Sequence, residues 1–253
     1  EHTRKGQDIQ NVNSRLQDSA GRYGYTYIDV HTFFADAAGK LKAGLSNDGL
    51  HLNGSAYLLW KHIVYPYVYD LQAKPSLLPA PQLLSWHSGY FPLHACGSII
   101  ISDPALQKEG RLLQQYLEEK GIAAKLADRR DEKEPAILLQ LDKNFKAPAF
   151  SEEAYRLEVK AEQITITAAT AQGIFYGIQT LQQLARDGAI VDACEIKDWP
   201  AFAWRGFMTD AGRNYQSVPM LKEQIDVLAR YKLNIFHFHA TEDIAWRIAI
   251  KQY

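Results

Sequence analysis

Two short apolar runs near the end of the chain are each followed by polar side chains that could do chemistry. The first run ends at Asp210, with Arg213 close behind it, and the second ends at His239, with Glu242 and Asp243 just beyond. In a parallel barrel, active residues lie at the carboxyl ends of strands, so these groups are predicted to converge on one rim. Simpler explanations stay open, since Asp210 could cap a loop, Asp243 could cap a helix or turn, and Arg213 could be a plain surface arginine.

A second candidate pair lies far upstream, where Asp48 and His51 stand three residues apart in a polar loop. A short loop lets the carboxylate sit near the imidazole ring, fix its tautomer and support its positive charge. His51 would then be the base for a nucleophile, which must come from elsewhere in the protein. The alternative is a loop in which both residues are incidental.

Residues 198–253 must position the first group. The sequence predicts a strand at Phe207–Asp210, a helix that begins near Ser217 with Pro219 in its first turn, and a strand at Leu233–Ala240. Strand, helix, strand is one repeat of a parallel barrel and the start of the next. The helix is predicted to bury the stripe Leu221, Ile225 and Leu228.

Alternation in the second of these strands sorts its side chains onto two faces. His237 and His239 share one face, and Phe236 and Phe238 share the other. The histidines are predicted to face the barrel interior, and the phenylalanines to pack on outer helices. His237 is interpreted as a hydrogen-bonded core histidine.

Residues 73–197 are predicted to form a small α+β domain, with a sheet packed against two helices. Prolines at positions 75, 79 and 81 mark the linker before it. The predicted elements are strands at Ser98–Ser102 and Ala136–Leu141, a hairpin over Tyr155–Ile166, and helices that begin at Asp103 and Gly173.

Residues 1–72 have an αβα order that is too short for a complete α/β domain. The predicted elements are a helix at Asp8–Tyr23, a strand at Tyr25–Val30, helical turns at Thr32–Ala38 and an aromatic helix at Ser55–Tyr69.

The bulk composition is that of an ordinary globular protein, with 253 residues of which 47% are hydrophobic and 23% charged. The net charge of −1 argues against a nucleic-acid or anionic-membrane partner, and no apolar run is long enough to span a bilayer. Cys96 and Cys194 match no metal-binding spacing and are predicted to be two buried thiols, with a disulfide as the alternative. The polar opening Glu1–Lys5 has no initiator methionine and no signal peptide, so we expect the chain to be cut from a longer protein.

Several motifs in order carry a family resemblance. The stretch Trp204–Tyr215 resembles the opening strand and loop of family 20 glycoside hydrolases, the β-N-acetylhexosaminidases. Tyr231–His239 resembles their second strand, and Ala240–Arg247 follows where the family has an acidic pair and an aromatic residue. Upstream, Glu153–Leu157 and Gly173–Leu181 resemble the small domain that precedes the barrel. The resemblance therefore implies the first strand-helix-strand of a TIM barrel behind a small α+β domain.

In this family the substrate's own 2-acetamido oxygen attacks the anomeric carbon, assisted by an Asp–Glu pair. The resemblance implies that Arg213 grips sugar hydroxyls, that His239 and Glu242 belong to the supporting acidic network, and that Asp210 and Asp243 complete the substrate-binding rim. The Asp–Glu pair lies later in the family, and residues 244–253 contain no acid. The family usually has Asp-Asp where this chain has Glu242-Asp243, and the extra methylene moves that carboxylate by about 1.5 Å.

The front segment carries a second resemblance. Asn47–Asn53, with Tyr27–Val30 and the aromatic helix that follows, resembles the C-terminal end of SGNH (GDSL-type) esterases. The resemblance implies that Asp48 and His51 are two members of a catalytic triad. The Gly-Asp-Ser block and the oxyanion-hole residues of that family do not precede Tyr25 in this chain.

The leading hypothesis is a fragment of a secreted, periplasmic or cell-surface glycan-degrading protein that joins the tail of an SGNH esterase to the head of a hexosaminidase. Its fold class is α/β and α+β, its partner a carbohydrate containing N-acetylhexosamine, and no metal or cofactor is expected. Because the barrel strands have open edges, we expect them to dock on the small domain, to be poorly ordered or to self-associate.

The alternative is a non-catalytic carbohydrate-binding or spacer module. For such a module Trp86, Tyr90 and Phe91 would form an aromatic row, although we interpret them as core or linker packing. The chain alone is predicted to be inactive.

Overall fold

The front of the chain forms three helices, of which the second and third enclose a small apolar core. The computed structural model describes residues 6–49, 51–68, 74–131, 134–185 and 188–251. The helices are α1 (Gly6–Tyr23), α2 (His31–Phe34) and α3 (Gly54–Val68), with a 3₁₀ turn at Ala43–Leu45. That core consists of Phe34 from α2 and of Ala56 and Ile63 from α3.

The helix predicted at Asp8–Tyr23 and the start of the aromatic helix near Ser55 are confirmed, but the turns predicted at Thr32–Ala38 end at Phe34, and the strand predicted at Tyr25–Val30 is wrong. A strand exists only where a neighbour completes its hydrogen-bond ladder, and this segment has no paired strand within the described residues. Aromatic and β-branched composition therefore gave a false signal there. The predicted helix end at Tyr69 and the predicted boundary at 72/73 lie outside the described residues.

The middle of the chain folds into one mixed seven-stranded sheet, ordered β1-β7-β5-β6-β4-β2-β3. The strands β2, β3, β4 and β6 pair in parallel, while β1, β7 and β5 continue the sheet in antiparallel fashion. The strands are β1 (Leu83–Phe91), β2 (Ser98–Ile101), β3 (Lys125–Ala127), β4 (Ala136–Leu141), β5 (Tyr155–Val159), β6 (Gln163–Ala168) and β7 (Val191–Asp198).

Two helices, α4 (Gln107–Glu119) and α5 (Ala171–Leu184), pack on this sheet as predicted. Alternating residues of β5 and β6 are buried, which matches the period-two pattern read from the sequence. Gly173 and Gly177 let α5 lie close to the sheet, because a side chain at either position would collide with the Ala154 backbone or with Ile166.

The two cysteines and the candidate aromatic row lie in this domain. Cys96 and Cys194 are buried and free, as predicted, and burial raises the pKa of each thiol to about 12. Phe91 is fully buried and Trp86 packs against the core, so the row is not an exposed platform. No helix among the described residues is long and apolar enough to cross a membrane.

The end of the chain forms the predicted strand-helix-strand unit. It consists of β8 (Gly206–Asp210), α6 (Val218–Arg230) and β9 (Ile235–His239), and a short hairpin of β10 (Thr241–Glu242) and β11 (Ala245–Trp246) follows. The strands β8 and β9 run parallel, and the Ser217 hydroxyl caps α6 by accepting from the Met220 N–H at 3.4 Å.

Two burial predictions for this unit are wrong. No residue of α6 is buried, and Ile225 from the predicted stripe is 47% exposed. His237 is also exposed, although it was interpreted as a core histidine. Both errors have one cause: only β8 and β9 of a barrel lie within the described residues, so the faces that a closed barrel would cover have little to pack against.

A buried ion pair joins this unit to the small domain. The ammonium of Lys232 donates to Asp198 Oδ2 at 2.8 Å and to the Tyr155 hydroxyl at 2.9 Å. Tyr155 in turn donates to Asp198 Oδ2 at 3.0 Å, and backbone N–H groups of Gln82 and Trp199 satisfy Asp198 Oδ1. Burial lowers the pKa of Lys232 while Asp198 opposes that shift, and burial raises the pKa of Tyr155, with the negative charge of Asp198 adding to it. We name this cluster the Lys232 clamp.

Lys232 also has an unusual backbone. Its φ of 60° is left-handed, which normally favours glycine at this place after a helix. The N–H of Lys232 donates to the Ala229 carbonyl and that of Leu233 to the Leu228 carbonyl, both at 2.9 Å, which closes α6 as a Schellman motif. A left-handed non-glycine residue costs about 1 kcal/mol or more.

Further polar contacts reinforce the same junction. Arg205, just before β8, pairs with Glu153 and also donates to the Lys232 carbonyl at 2.7 Å. Gln183 of α5 donates to the Arg230 carbonyl at the end of α6 at 3.0 Å. The sequence left open whether the barrel strands dock on the small domain, are poorly ordered or self-associate. In the structure, the strand-helix-strand unit docks on the small domain.

Removing the ammonium should expose how much the junction depends on it. We predict that Lys232→Met lowers the free energy of unfolding by about 3 kcal/mol, because it leaves the Asp198 carboxylate buried without a cation. Urea unfolding followed by tryptophan fluorescence measures the change. The matched control is Lys222→Met on the exposed side of α6, expected to shift stability by less than about 0.5 kcal/mol. Equal effects of the two substitutions would contradict the assigned role.

Candidate functional site

The parallel register of β8 and β9 brings the predicted rim together. Asp210 is the residue opposite His239, so the carboxyl ends of both strands meet at one edge. The backbone N–H groups of Ala211 and Gly212 donate to the His239 carbonyl at 3.0 and 3.2 Å. These bonds extend the strand pairing into the loop after β8 and fix where that loop turns.

Arg213 lies between two carboxylates at this edge. Its Nη1 is 3.1 Å from Asp210 Oδ2, and its Nη2 donates to Glu242 Oε1 at 2.5 Å. The arginine side chain is 65% exposed, whereas the two acids are only 20% and 22% exposed. The acids thus hold the guanidinium from the protein side, and its other N–H donors face outward for a ligand.

His239 completes the group from the floor of the rim. Its Nδ1 lies 3.6 Å from Asp210 Oδ2 and its Nε2 lies 3.6 Å from Glu242 Oε1. These distances exceed a hydrogen bond, so the contribution of the ring is electrostatic. The pKa of Asp210 is lowered, first by the hydrogen bond from the Arg213 backbone N–H at 3.0 Å and then by the charges of Arg213 and His239. Asp210 therefore both caps its loop and belongs to the rim.

Asp210, His239 and Glu242 could in principle hold a metal ion, since their ligand atoms lie within 4.8 Å of one another. The contacts of Arg213 oppose this, because its guanidinium already bonds to both carboxylates and its positive charge would repel a cation. The donor set fits a hydroxylated ligand better than a metal.

Asp243 lies apart from this group. It is exposed in the turn between β10 and β11, with no hydrogen bond or ion pair to the residues that the structure describes. Of the acidic pair, Glu242 alone points into the rim. The rim thus comprises Asp210, Arg213, His239 and Glu242.

Arg247 is a positioning residue that the sequence did not single out. Its Nε donates to the Ala211 carbonyl at 2.7 Å and its Nη2 to the Gly212 carbonyl at 3.2 Å, and its guanidinium lies over the Tyr215 ring. The sequence signal that could have found Arg247 is an arginine four residues after the acidic pair Glu242-Asp243. Glycine at position 212 lets Glu242 pack closely against this loop, because an added Cβ would lie 3.2 Å from three atoms of Glu242.

The second predicted pair also meets in space. His51 Nδ1 lies 2.7 Å from Asp48 Oδ2, and the His51 backbone N–H donates to Asp48 Oδ1 at 2.8 Å. The Ser46 hydroxyl donates to the His51 carbonyl at 2.7 Å and accepts from the Gly49 N–H at 2.8 Å, which fixes the turn. The His51 side chain is 80% exposed, so its other ring nitrogen faces solvent. Leu50, within the same motif, lies outside the described residues.

A small α+β domain followed by a parallel strand-helix-strand with a polar carboxyl-end rim is the architecture of a barrel hydrolase with a domain in front. Two family models agree with this description. Glycosyl hydrolase family 20, domain 2, matches residues 74–199, and the family 20 catalytic domain matches residues 202–253. The chain belongs to glycosyl hydrolase family 20.

Curated proteins with hexosaminidase names are similar to the chain in sequence. A β-hexosaminidase from Porphyromonas gingivalis is 34% identical over 189 residues, which is 70% of this chain and 24% of that protein. A β-N-acetylhexosaminidase from Cellulomonas fimi is 38% identical over 116 residues, which is 44% of this chain and 23% of that protein. The chain thus spans about a quarter of the length of these curated relatives.

Solved structures also resemble the chain. The family 20 exo-β-N-acetylglucosaminidase from Vibrio harveyi in complex with N-acetylglucosamine matches with a TM-score of 0.61 and 30% identity, over 72% of this chain and 29% of the other. The β-N-acetylhexosaminidase from Bacteroides fragilis gives a TM-score of 0.61 and 31% identity, over 70% and 35%.

Proposed function

We propose that this chain is the front part of a glycan-degrading β-N-acetylhexosaminidase and supplies the rim that grips the terminal N-acetylhexosamine. The observation that carries the proposal is Arg213, held by Asp210 and Glu242 with its remaining donors turned outward. A guanidinium with fixed partners presents directed donors to neighbouring ring hydroxyls at little cost in side-chain entropy. Membership of family 20 supports the choice of an N-acetylated sugar.

In the proposed reaction the 2-acetamido oxygen of the substrate attacks the anomeric carbon, and the bond to the leaving oxygen breaks. An Asp orients the acetamido group and a Glu donates a proton to that oxygen. His239 and Glu242 support this pair from the rim. Asp210 and Glu242 hold the guanidinium of Arg213 in place beside His239.

The chain by itself should bind without turnover. Residues 244–253 contain no acidic residue, so no second acidic pair follows Glu242 and Asp243 in this chain. We predict that the purified 253-residue chain releases no aryl alcohol from an aryl N-acetyl-β-glucosaminide, measured by absorbance over hours. Release that survives Arg213→Ala would point to a contaminant, and release that Arg213→Ala abolishes would overturn the prediction.

Arg213 should matter for the sugar more than for the fold. In the full-length enzyme we predict that Arg213→Lys lowers kcat/KM for an aryl N-acetylglucosaminide about 10- to 100-fold, because lysine keeps the charge but cannot bridge two carboxylates and two hydroxyls. The melting temperature should stay close to that of the wild type, since the side chain is exposed. Arg22→Lys on α1 is the matched control. Unchanged kinetics for Arg213→Lys would sink the proposed role.

We further propose that residues 1–72 are the C-terminal end of an SGNH-type esterase, with His51 as base and Asp48 as its orienting acid. The 2.7 Å contact between His51 Nδ1 and Asp48 Oδ2 supports this. Such a pair activates a serine only where the rest of the triad is supplied. In this proposal the esterase removes an acyl group from a sugar, and the hexosaminidase then removes the exposed N-acetylhexosamine.

His51 gives the test of this second activity. We predict that the full-length protein releases acetate from an O-acetylated N-acetylhexosamine glycan, and that His51→Ala abolishes the release while hexosaminidase activity remains. His87→Ala, an exposed histidine on β1, is the control and should change neither activity. Absence of acyl release by the wild type on O-acetylated glycans would contradict the esterase assignment.

The isolated chain should also self-associate through its barrel unit. The outer edges of β8 and β9 have no strand partner within the described residues, and Phe207, Met208 and Phe238 are 45%, 55% and 38% exposed. We predict a sedimentation coefficient that rises with protein concentration. A monomer throughout would refute this.

We also propose a secreted, periplasmic or cell-surface location, because the proposed substrate is a glycan. Fractionation of source cells tests this, and hexosaminidase activity confined to the cytosol would contradict it.

A further inference from the structure

A large open groove lies between α4, α5 and α6, away from the rim. Its volume is about 760 Å³, within the range of small-molecule and oligosaccharide sites. The part of α6 that lines it is Ile225–Arg230, the half that leads toward the start of β9. Because the rim lies where β8 and β9 end, the groove is at the opposite end of the strand-helix-strand unit.

Glutamine amides dominate the polar lining of this groove, with Gln115 on α4 and Gln179 and Gln182 on α5. Gln179 is only 5% exposed, yet its amide makes no hydrogen bond to any residue that the structure describes. Gln183 shows the contrast, since its amide accepts from and donates to the Leu78 backbone at 2.9 Å and donates to the Arg230 carbonyl. The amide atoms of Gln179 are not among the fully buried polar atoms that lack a partner, so they open into the groove, where they are available to bond to a ligand.

The rest of the lining indicates the chemistry of that ligand. Phe175 and Tyr116 supply aromatic surface beside the amides. The charged residues at the border balance in sign, with Glu119 and Asp226 against Lys120 and Arg230. A groove without net charge does not select an anion or a cation. An amide offers two donors and one acceptor, which matches ligand hydroxyls that both donate and accept.

We propose that this groove is a non-catalytic binding site for a neutral oligosaccharide, in which Gln179 and Gln182 bond to sugar hydroxyls or acetamido groups and Phe175 and Tyr116 pack on the sugar ring. The side-chain amide of Gln115 already donates to Glu119 Oε1 at 3.2 Å, so its carbonyl oxygen remains as an acceptor at the border of the groove. The site would hold a glycan chain on the enzyme without taking part in cleavage. The choice of an N-acetylated probe rests on the proposed function, whereas the groove chemistry does not.

Titration calorimetry on the 253-residue chain tests this with triacetylchitotriose and with maltotriose, a neutral glycan without acetamido groups. We expect measurable binding and about a tenfold rise in Kd for both Gln179→Met and Gln182→Ala. Gln182 is only half-buried, so its variant keeps the test valid if the buried Gln179→Met is unstable in thermal melts. Gln172→Ala, exposed on α5 outside the groove, is the matched control and should bind like the wild type.

Arg213→Ala separates the groove from the rim. Binding that survives Arg213→Ala and falls with the α5 variants supports the groove, whichever of the two sugars binds. Binding lost only in Arg213→Ala, or no binding of either sugar by the wild type, overturns it. Neither of these results decides the hexosaminidase proposal, which is judged separately by the kinetics of Arg213→Lys in the full-length enzyme.

Discussion

The arrangement of the catalytic-side elements depends on one buried ammonium. Lys232 has 7% of its surface exposed, so its charge is tolerable only beside the Asp198 carboxylate and the Tyr155 hydroxyl. Those partners face each other across two neighbouring strands, Asp198 at the end of β7 and Tyr155 at the start of β5. Because Lys232 stands three residues before β9, the clamp sets where that strand begins. The parallel register with β8 then sets where Asp210 and His239 meet.

The rim is a second cluster of charged side chains, built at the surface. Two carboxylates hold one guanidinium, and His239 lies between the acids. The longer side chain of Glu242, compared with the aspartate usual in the family, reaches across Gly212 to Arg213 with no side chain in the way. Arg247 fixes the carbonyls of the same loop. Exposed ion pairs contribute little to stability, so this arrangement serves orientation of the arginine more than folding.

Local patterns predicted much of this structure. The alternation of apolar residues predicted β5 and β6, and Ser217 with Pro219 predicted the start of α6. The polar residues after β8 and β9 converge on one rim, as the sequence predicted. The failures depend on distant partners. β1 and β7 are strands only because each completes a ladder, and the charged residues of β7 hide its pattern. Lys232 stands at a left-handed position where glycine is usual, and its buried partners Asp198 and Tyr155 are distant in sequence, so no local window contains the clamp.

The two partial sites of this chain have the same physical character. On the proposed function, Arg213 binds the sugar and Asp48 orients His51, so each contributes binding or positioning and neither breaks a bond. An interaction felt equally by substrate and transition state lowers KM and leaves the barrier unchanged. On the same proposal, the bond-forming and proton-transfer steps belong to His51 with the serine it would activate and to the Asp–Glu pair, so Arg213 and Asp48 contribute affinity and geometry. A second glycan-binding groove is consistent with that division, because holding a polymer near the rim raises its local concentration without any new chemistry.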